Sequence, residues 1–310
     1  MRFSPTTARR LRHLFFIALS FATISLTGCG SSAWPGSPTP STKVPLSGIS
    51  TSSPTSSSTS TSTSTSTSTS TSTSTSTSTS GSTSTSSPPT TPLVLLYNGT
   101  GTSSTDVAAV ETQLSTLKLT YSTANTSQLN AMSETQLKAY KLLIVPGGNS
   151  ITIGNSLTSK ATTNVRNAVS NDGLHYLGLC AGGFFGGYSI HNGVDLTSGV
   201  WFNFYADEFK GIHKEPVLIS FPSGTPLDIY WQDGPQFSGW GSIVGKFPDG
   251  TPAIVESSYG KGFVILSGVH PEAPASWRIG MNFTTSLATD LAYADTLITS
   301  ALNATSLKHF

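Results

Sequence analysis

The sequence predicts an α/β domain with a mostly parallel central sheet. The apolar runs Leu93–Tyr97 and Leu142–Val145 are continuous, which is typical of parallel strands covered on both faces. Between them, Ser104–Leu117 carries valines and leucines at helical spacing, with Ser and Asp residues available to cap its first turn. Because strands and helices alternate, with crossovers of about 10–20 residues, a parallel sheet flanked by helices is favoured.

Further helices and strands follow from the same kind of pattern. Helices are predicted near 127–138, 151–170 and 285–302. Strands are predicted at Pro216–Phe221, Leu227–Trp231, Ala253–Glu256 and Phe263–Ser267, with a hairpin turn over 256–262 before the last of them. The C-terminal part therefore adds a β-hairpin extension to the sheet.

One apolar run leads directly into a cysteine. Leu174–Leu179 is followed by Cys180 and then by three small residues, Ala181, Gly182 and Gly183. This order predicts a buried strand, a sharp turn and a helix that begins at once, which is the geometry of a nucleophile elbow. The unpaired N–H groups and the dipole of a helix N-terminus favour a thiolate there. The alternative is a buried structural cysteine beside a glycine-rich turn.

A second apolar strand ends in a histidine and a carboxylate. Phe263–Ser267 leads into His270 and Glu272. In an open parallel sheet, ligands gather beyond the carboxyl ends of the strands, so this pair can meet Cys180. The chemistry then makes Cys180 the nucleophile, His270 its base and Glu272 the group that orients the imidazole. Taken alone, His270 also fits an ordinary surface histidine before a proline.

Backbone N–H groups near the cysteine could bind a tetrahedral oxyanion. The N–H of Ala181 is one candidate, and the N–H of Gly147 or Gly148, after the strand that ends at Val145, is the other. Taken alone, the two glycines also fit an ordinary strand-to-helix turn. No metal ion and no other cofactor is expected at this site.

Several other side chains attract attention. Aromatic residues cluster at 201–205 and 230–231, where they could line a pocket for a sugar or planar ligand or belong to the core. His191 and His213 have no partners at metal-ligand spacing, so we expect surface positions for both. Asp207 and Glu208 are expected to be solvated.

The first 28 residues are typical of a signal peptide. A basic start precedes the apolar run Leu14–Leu19, which is too short to span a bilayer. Residues 26–29, Leu-Thr-Gly-Cys, look like a bacterial lipobox, so Cys29 is expected to carry acyl chains such as palmitate and to anchor the chain to a membrane. Gly30 stands after it rather than Asp, which by resemblance to Gram-negative sorting favours the outer membrane. The alternative is an ordinary signal peptide with a chance cysteine.

Residues 29–92 are expected to form a disordered tether, and residues 93–310 the globular domain. Thr59–Ser80 is strict Thr-Ser alternation, and such a segment cannot bury enough apolar surface to offset its chain entropy. The net charge of +1, with Lys and Arg scattered, argues against nucleic-acid binding. If Cys29 is lipidated, Cys180 is left as a lone thiol.

Three motifs resemble a known family. Pro146–Gly148, Gly178–Gly182 and His270–Glu272, in this order and at this spacing, resemble class I glutamine amidotransferases. Tyr230–Phe237 and the hairpin before His270 make the chain similar to the domain at the N-terminus of eukaryotic biotin–protein ligases, which also occurs alone in bacterial proteins. The resemblance covers about 93–277. It implies a flavodoxin-like α/β sandwich and a Cys–His–Glu triad formed by the cysteine, histidine and glutamate named above.

The chain departs from the amidotransferase pattern at two places. Glutaminases commonly have a glutamine four residues after the nucleophile, and here that position is Phe184. The loop Pro146–Ser150 also differs from the usual glutaminase form. We expect neither a complete amidotransferase nor a biotin ligase, since the sequence contains no synthetase domain and no ligase catalytic domain with its Gly/Arg-rich loop.

Three functions are consistent with these patterns. The first is a lipid-anchored protein of the bacterial cell envelope, periplasmic or surface-facing, that uses Cys180, His270 and Glu272 to hydrolyse an amide in a small molecule or envelope component. The second is a catalytically silent ligand- or partner-binding module that keeps the elbow because the fold needs it. The third is a lipoprotein scaffold whose pocket contacts a partner protein. The triad favours the first, whereas Phe184 and the lack of an acceptor domain in the sequence favour the second.

Overall fold

The computed structural model describes residues 92–310. The expected signal peptide at 1–28, the expected lipidation site at Cys29 and all of the tether except its last residue lie outside the described residues, so those expectations stay predictions. No helix between residues 92 and 310 has the length and apolar character that crossing a bilayer requires.

The described residues form eleven strands, and seven of these make up one central sheet. The strands are β1 Val94–Tyr97, β2 Tyr121–Ala124, β3 Leu142–Val145, β4 His175–Leu179, β5 Asn203–Phe204, β6 Lys214–Ile219, β7 Leu227–Gln232, β8 Pro235–Gln236, β9 Ser242–Lys246, β10 Pro252–Tyr259 and β11 Gly262–Ser267. The sheet has the order β2-β1-β3-β4-β11-β10-β9. Its first five strands are parallel, and β10 and β9 are antiparallel to their neighbours. The prediction of an α/β fold with a mostly parallel sheet is confirmed.

Two segments that were each predicted as one helix form two helices each. They are α1 Ser104–Thr116, α2 Thr126–Ala131, α3 Glu134–Leu137, α4 Ser150–Ser156, α5 Ser159–Asp172, α6 Ala181–Gly186 and α7 Leu287–Asn303. The helix expected at 127–138 is two short helices because Ser133 and Gln136 form a capping box that starts a new one. The helix expected at 151–170 is divided because the Thr158 side chain caps α5.

Two strands of the sheet were not predicted. Strands β2 and β9 lie at the two edges of the sheet. Strand β2 reads Tyr-Ser-Thr-Ala, and of these four residues only Ala124 is buried. An edge strand has little apolar surface to bury, so it lacks the continuous apolar run by which the central strands are recognised.

Alternate side chains of the central strands supply two apolar layers. On one face, Leu96 and Ile144 pack in a cluster that includes residues of α1 and α7. On the other face, Leu95, Leu143 and Tyr176 pack in a cluster that includes residues of α5 and α6. Successive residues of a strand point to opposite faces, so each continuous run contributes to both layers. The sheet is therefore a rigid base for the segments that follow its strands.

The predicted hairpin extension is present, but its turn is shorter than the predicted 256–262, because residues 257–259 continue strand β10. Strands β10 and β11 form a hairpin that turns at Gly260 and Lys261, and β6 and β7 form a separate antiparallel pair. The backbone N–H of His270 donates to the carbonyl oxygen of Tyr230 in β7 at 2.8 Å. The antiparallel pair thereby fixes the segment that carries His270.

Candidate active site

Four neighbouring parallel strands end at the same edge of the sheet. They are β1, β3, β4 and β11. The segments that follow them carry the start of α1, the Gly147–Gly148 loop, Cys180 and the 268–272 segment with His270 and Glu272. The structure therefore brings every predicted site residue of the described chain to one edge, as the parallel topology requires.

Cys180 occupies a strained turn between β4 and α6. Its φ is 48° and its ψ is −105°, a backbone conformation that residues with a Cβ rarely adopt. Its N–H donates to the Ser267 carbonyl at 2.7 Å, which ties the turn to the end of β11. The thiol is buried, and its Sγ lies 3.4 Å from the carbonyl oxygen of Gln232. Strain of this kind costs about 1–3 kcal/mol and concentrates at functional sites.

His270 lies beside Cys180 and faces two carboxylates. Its side chain is buried, with the residue 3% exposed, and Nδ1 lies 2.9 Å from Oε1 of Glu272, which is 2% exposed. Nδ1 also lies 3.4 Å from Oδ1 of Asp106. A proton on Nδ1 satisfies both carboxylates and leaves Nε2 as the nitrogen that can exchange a proton with the sulfur.

The surroundings of His270 raise its pKa well above the ordinary range. Burial acts in the opposite direction, but the charges and hydrogen bonds of Cys180 and Glu272 outweigh it. A histidine that stays cationic beside a sulfur is one half of a thiolate–imidazolium pair. Helix α6 has only six residues, so its first N–H groups, rather than a long macrodipole, contribute to stabilising an anion at its start.

Asp106 is a site residue that the sequence pattern did not reveal. It is the third residue of α1, and its N–H donates to the side chain of Ser103, which caps the helix. An acidic residue at this position is common in helices because it complements the helix dipole, so the pattern indicates only a cap. In the fold, its buried carboxylate reaches His270 across the sheet edge. Nothing in the sequence distinguishes these two roles.

The Gly147–Gly148 loop lies against the same side chains. Ser103 N–H donates to the Gly147 carbonyl at 3.0 Å, and Asn149 N–H donates to the Gly101 carbonyl at 2.8 Å. A Cβ on Gly147 would collide with the Asp106 carboxylate and would lie 2.8 Å from Cε1 of His270. In the described chain, the N–H of Gly148 donates to no backbone carbonyl, and the N–H of Ala181 begins α6 and so has no partner within that helix. In this part of the chain neither N–H group has a backbone acceptor, so the oxyanion role stays a prediction.

Helix α6 approaches the end of β3 closely enough to require glycine. A Cβ on Gly182 would collide with the carbonyl oxygen of Val145, and a Cβ on Gly178 would collide with the carbonyl oxygen of Gly182. This contact holds the start of α6, and with it Cys180, against the strand that leads to the Gly147–Gly148 loop.

Replacing Gly182 with alanine should destabilise the domain. The added methyl group has no room beside the Val145 carbonyl, and such overpacking typically costs about 1–3 kcal/mol of unfolding free energy. Urea denaturation of the full chain followed by circular dichroism measures the change. An unfolding free energy equal to that of the unmodified chain would contradict the close approach.

Replacing Asp106 with asparagine should weaken the site without unfolding it. Removal of a negative charge 3.4 Å from Nδ1 lowers the pKa of His270 and should slow acylation of Cys180 about tenfold, which corresponds to about 1.4 kcal/mol. The histidine pKa is measured by NMR and the acylation rate by stopped flow. Asp172→Asn, at the exposed end of α5, is the matched control. A slower rate with an unchanged histidine pKa would contradict a positioning role.

His213 is exposed, as predicted, but the expectation that it has no partners at metal-ligand spacing was wrong. Its Nδ1 lies 3.0 Å from Oδ1 of Asp233 and 3.2 Å from Oε2 of Glu208, and hydrogen bonds to both raise its pKa. Asp207 and Glu208 were expected to be solvated, yet their side chains are only 13% and 16% exposed. Asp233 is distant in sequence and reaches His213 through the turn after β7.

Two groups of side chains in the described chain have the spacing that a metal ion could use. In each, one potential ligand atom per residue lies within 4.8 Å of the others; the groups are Asp106, His270 and Glu272, and Glu208, His213 and Asp233. In the first group Nδ1 of the histidine is already hydrogen-bonded to a carboxylate.

The aromatic residues that attracted attention in the sequence differ in burial. Phe202, Tyr205 and Trp231 are buried, whereas Trp201 is exposed.

Part of the chain matches a known protein family. Residues 93–211 match the family described as "Biotin-protein ligase, N terminal". This span contains Gly147, Gly148 and Cys180 and ends before His270. The chain is also 26% identical over 214 residues to the biotin–protein ligase of Schizosaccharomyces pombe; the alignment covers 59% of this chain and 33% of the relative. The chain thus spans about a third of the length of the curated relative it matches.

Solved structures show a similar arrangement at low sequence identity. A glutamine amidotransferase is 21% identical with a TM-score of 0.46, covering 58% of this chain and 90% of that one. A structure described as a "putative gmp synthase subunit a protein" from Thermoplasma acidophilum is 10% identical with a TM-score of 0.45, covering 69% of this chain and 95% of that one. The match over residues 93–211 makes this part of the chain similar to the N-terminal domain of biotin–protein ligases.

Proposed function

We propose that this protein is a cysteine-dependent amide hydrolase of the bacterial cell envelope. The observation that carries the proposal is the buried set of Cys180, His270 and Glu272 at one sheet edge, with the cysteine on a strained turn. A buried histidine and a buried carboxylate that serve only packing would be costly to keep, because charged groups lose hydration when buried. Their arrangement beside a sulfur matches what nucleophilic catalysis requires.

The first half of the proposed reaction acylates the cysteine. Transfer of the Cys180 proton to Nε2 of His270 gives a thiolate beside an imidazolium, the pair that the raised pKa of His270 favours. The sulfur then attacks the substrate carbonyl carbon and forms a C–S bond, and the negative oxygen is held by the N–H groups of Gly148 and Ala181. His270 returns the proton to the amide nitrogen as the C–N bond breaks, and the amine leaves.

The second half releases the acid. Water gives a proton to Nε2 of His270 and attacks the thioester carbon, and the C–S bond breaks. The proton returns to the Cys180 sulfur, which restores the resting site. Glu272 and Asp106 keep Nδ1 protonated throughout, so that Nε2 performs both proton transfers.

Glutamine is not the substrate that we propose. The position four residues after the nucleophile is occupied by Phe184, whose ring packs edge-to-face on Phe204 with centroids 5.0 Å apart. Neither ring can hydrogen-bond to the carboxamide or the amino acid head group of glutamine.

The acyl-enzyme is the direct test of this proposal. The full chain is mixed with p-nitrophenyl acetate, and release of p-nitrophenol is followed together with the mass of the Cys180 peptide. We expect a burst of about one equivalent and an acetyl group on Cys180, both absent in Cys180→Ala. Absence of the burst in the unmodified chain, or its persistence in Cys180→Ala, would contradict the hydrolase and favour a binding module.

The proposed location rests on Cys29. Its lipobox-like context supports attachment to the outer membrane through acyl chains, with the 93–310 domain held away from the lipid by the Thr/Ser-rich segment. Metabolic labelling of cells that express the full chain with an alkyne palmitate analogue tests it. We expect label in the unmodified chain and none in Cys29→Ala; label that is equal in both would contradict the anchor.

A further inference from the structure

An apolar cavity of about 370 Å³ lies beside α6. Its walls are mainly carbon and come from three parts of the chain: α6, the start of α4, and the segment from residue 188 through β5. The side chains that matter here are Phe184, Ile151, Tyr188, Trp201 and Phe204. A cavity of this size falls in the range that holds small organic ligands.

The cavity adjoins the candidate active site through two elements. The N–H of Phe184 donates to the carbonyl of Cys180 at 3.1 Å, so Phe184 lies one helical turn along α6 from the proposed nucleophile. Ser150, also in the wall, directly follows Asn149 at the end of the Gly147–Gly148 loop. The elements that present the sulfur and the oxyanion N–H groups therefore continue into the cavity walls.

The outer wall is held in place although its side chains are exposed. A Cβ on Gly154 of α4 would collide with the carbonyl of His191, so the 188–193 segment is docked tightly on α4. Yet Trp201 is 64% exposed and Ile190 is 84% exposed. Large apolar side chains exposed at the mouth of a cavity favour an apolar occupant.

The chemistry of the walls selects the kind of group that fits. No described residue that lines the cavity is Asp, Glu, Lys or Arg. The polar side chains in the lining are Ser150, Ser189, His191 and Asn203. A charged group would lose hydration there without a carboxylate, ammonium or guanidinium to pair with, whereas a ring would gain contact with the edge-to-face pair of Phe184 and Phe204 and with the indole of Trp201.

We propose that this cavity binds an uncharged, apolar ring of the substrate, next to the amide that Cys180 attacks. The inference rests on the proposed hydrolase and names its substrate class: amides that carry a neutral aromatic or similarly apolar group close to the scissile carbonyl. Residue 184 then sets specificity, because its side chain faces the cavity from the helix that Cys180 begins.

Alkylation of Cys180 by a series of chloroacetamides tests the inference without requiring turnover. In each reaction the thiolate attacks the CH₂ carbon and chloride leaves. The amide carries a methyl, carboxymethyl, benzyl or naphthylmethyl group, and rates are read on the Cys180 peptide by mass spectrometry and divided by the rates with free glutathione. We expect the ring reagents to react at least about tenfold faster than the methyl reagent, the factor for taking roughly one ring out of water, and the carboxymethyl reagent to be slowest.

Three variants distinguish ring binding in the cavity from the reactivity of Cys180 itself. Trp201→Ala and Phe184→Gln should lose most of the ring preference, whereas Phe209→Ala, which removes an equally exposed aromatic ring (68%) outside the cavity, should keep it. Equal corrected rates for all reagents, or a ring preference that survives both cavity variants, would overturn the inference while leaving the hydrolase intact. The hydrolase itself fails instead if His270→Ala leaves every rate unchanged.

Discussion

His270→Ala is expected to slow acylation of Cys180 by about 10²–10⁴-fold, the usual contribution of a positioned general base. His270 is buried beside Cys180, and in the described part of the chain it is the basic side chain that the carboxylates of Glu272 and Asp106 hold in position. The p-nitrophenol burst rate at pH 7.5 measures the effect.

The control must account for the buried carboxylates that this substitution leaves behind. Loss of one partner of a buried ion pair costs about 3–5 kcal/mol, so stability is measured by urea denaturation alongside the rate. His309→Ala is the matched control. Nε2 of His309 lies 2.7 Å from Oε1 of buried Glu256, and this pair is outside the candidate site. A burst rate within about twofold of the unmodified chain in a folded His270→Ala protein would contradict the assignment.

Glu272→Gln is expected to lower the acylation rate by about 10²–10³-fold, somewhat less than loss of the histidine. Glutamine keeps the size of the side chain but removes the charge 2.9 Å from Nδ1, so the imidazolium is less stable and the tautomer is no longer fixed. Burial lowers the pKa of His270 while Cys180 and Glu272 raise it, so this variant should show a lower His270 pKa. The burst rate and histidine NMR titration measure both effects.

The Glu272→Gln variant should keep some activity because Asp106 remains beside the histidine. Its carboxylate is 3.4 Å from the same Nδ1 and can hold the ring in part. Asp106→Asn combined with Glu272→Gln should therefore lose more activity than the product of the single effects, because each carboxylate substitutes for the other. Strictly multiplicative effects would show that the two carboxylates act independently.

Much of this site follows from the sequence because it is built on the most apolar strands. The runs that form β3, β4 and β11 are recognisable, and parallel neighbours place their carboxyl ends together, which brings Cys180, His270 and the Gly147–Gly148 loop to one edge. The structure also explains the glycine at position 182, because the close approach of α6 to β3 leaves no room for a Cβ there.

What the sequence could not predict depends on contacts between distant segments. Asp106 has the pattern of a helix cap, and its second role exists only because α1 begins at the same sheet edge. His213 meets Asp233 only through the turn after β7. The edge strand β2 is largely polar, and the helix breaks at Ser133 and Thr158 are local capping events within otherwise helical patterns.

The most direct test is the rate at which iodoacetamide alkylates Cys180 in the full chain between pH 5.5 and 9, read on the Cys180 peptide so that Cys29 does not contribute. The raised pKa of His270 keeps the imidazolium beside the sulfur, so the unmodified chain should react at least about tenfold faster than His270→Ala at pH 6. The ratio should shrink as the pH rises, because the thiol of His270→Ala then also loses its proton. Equal rates in the two proteins across the whole range would contradict a thiol activated by His270.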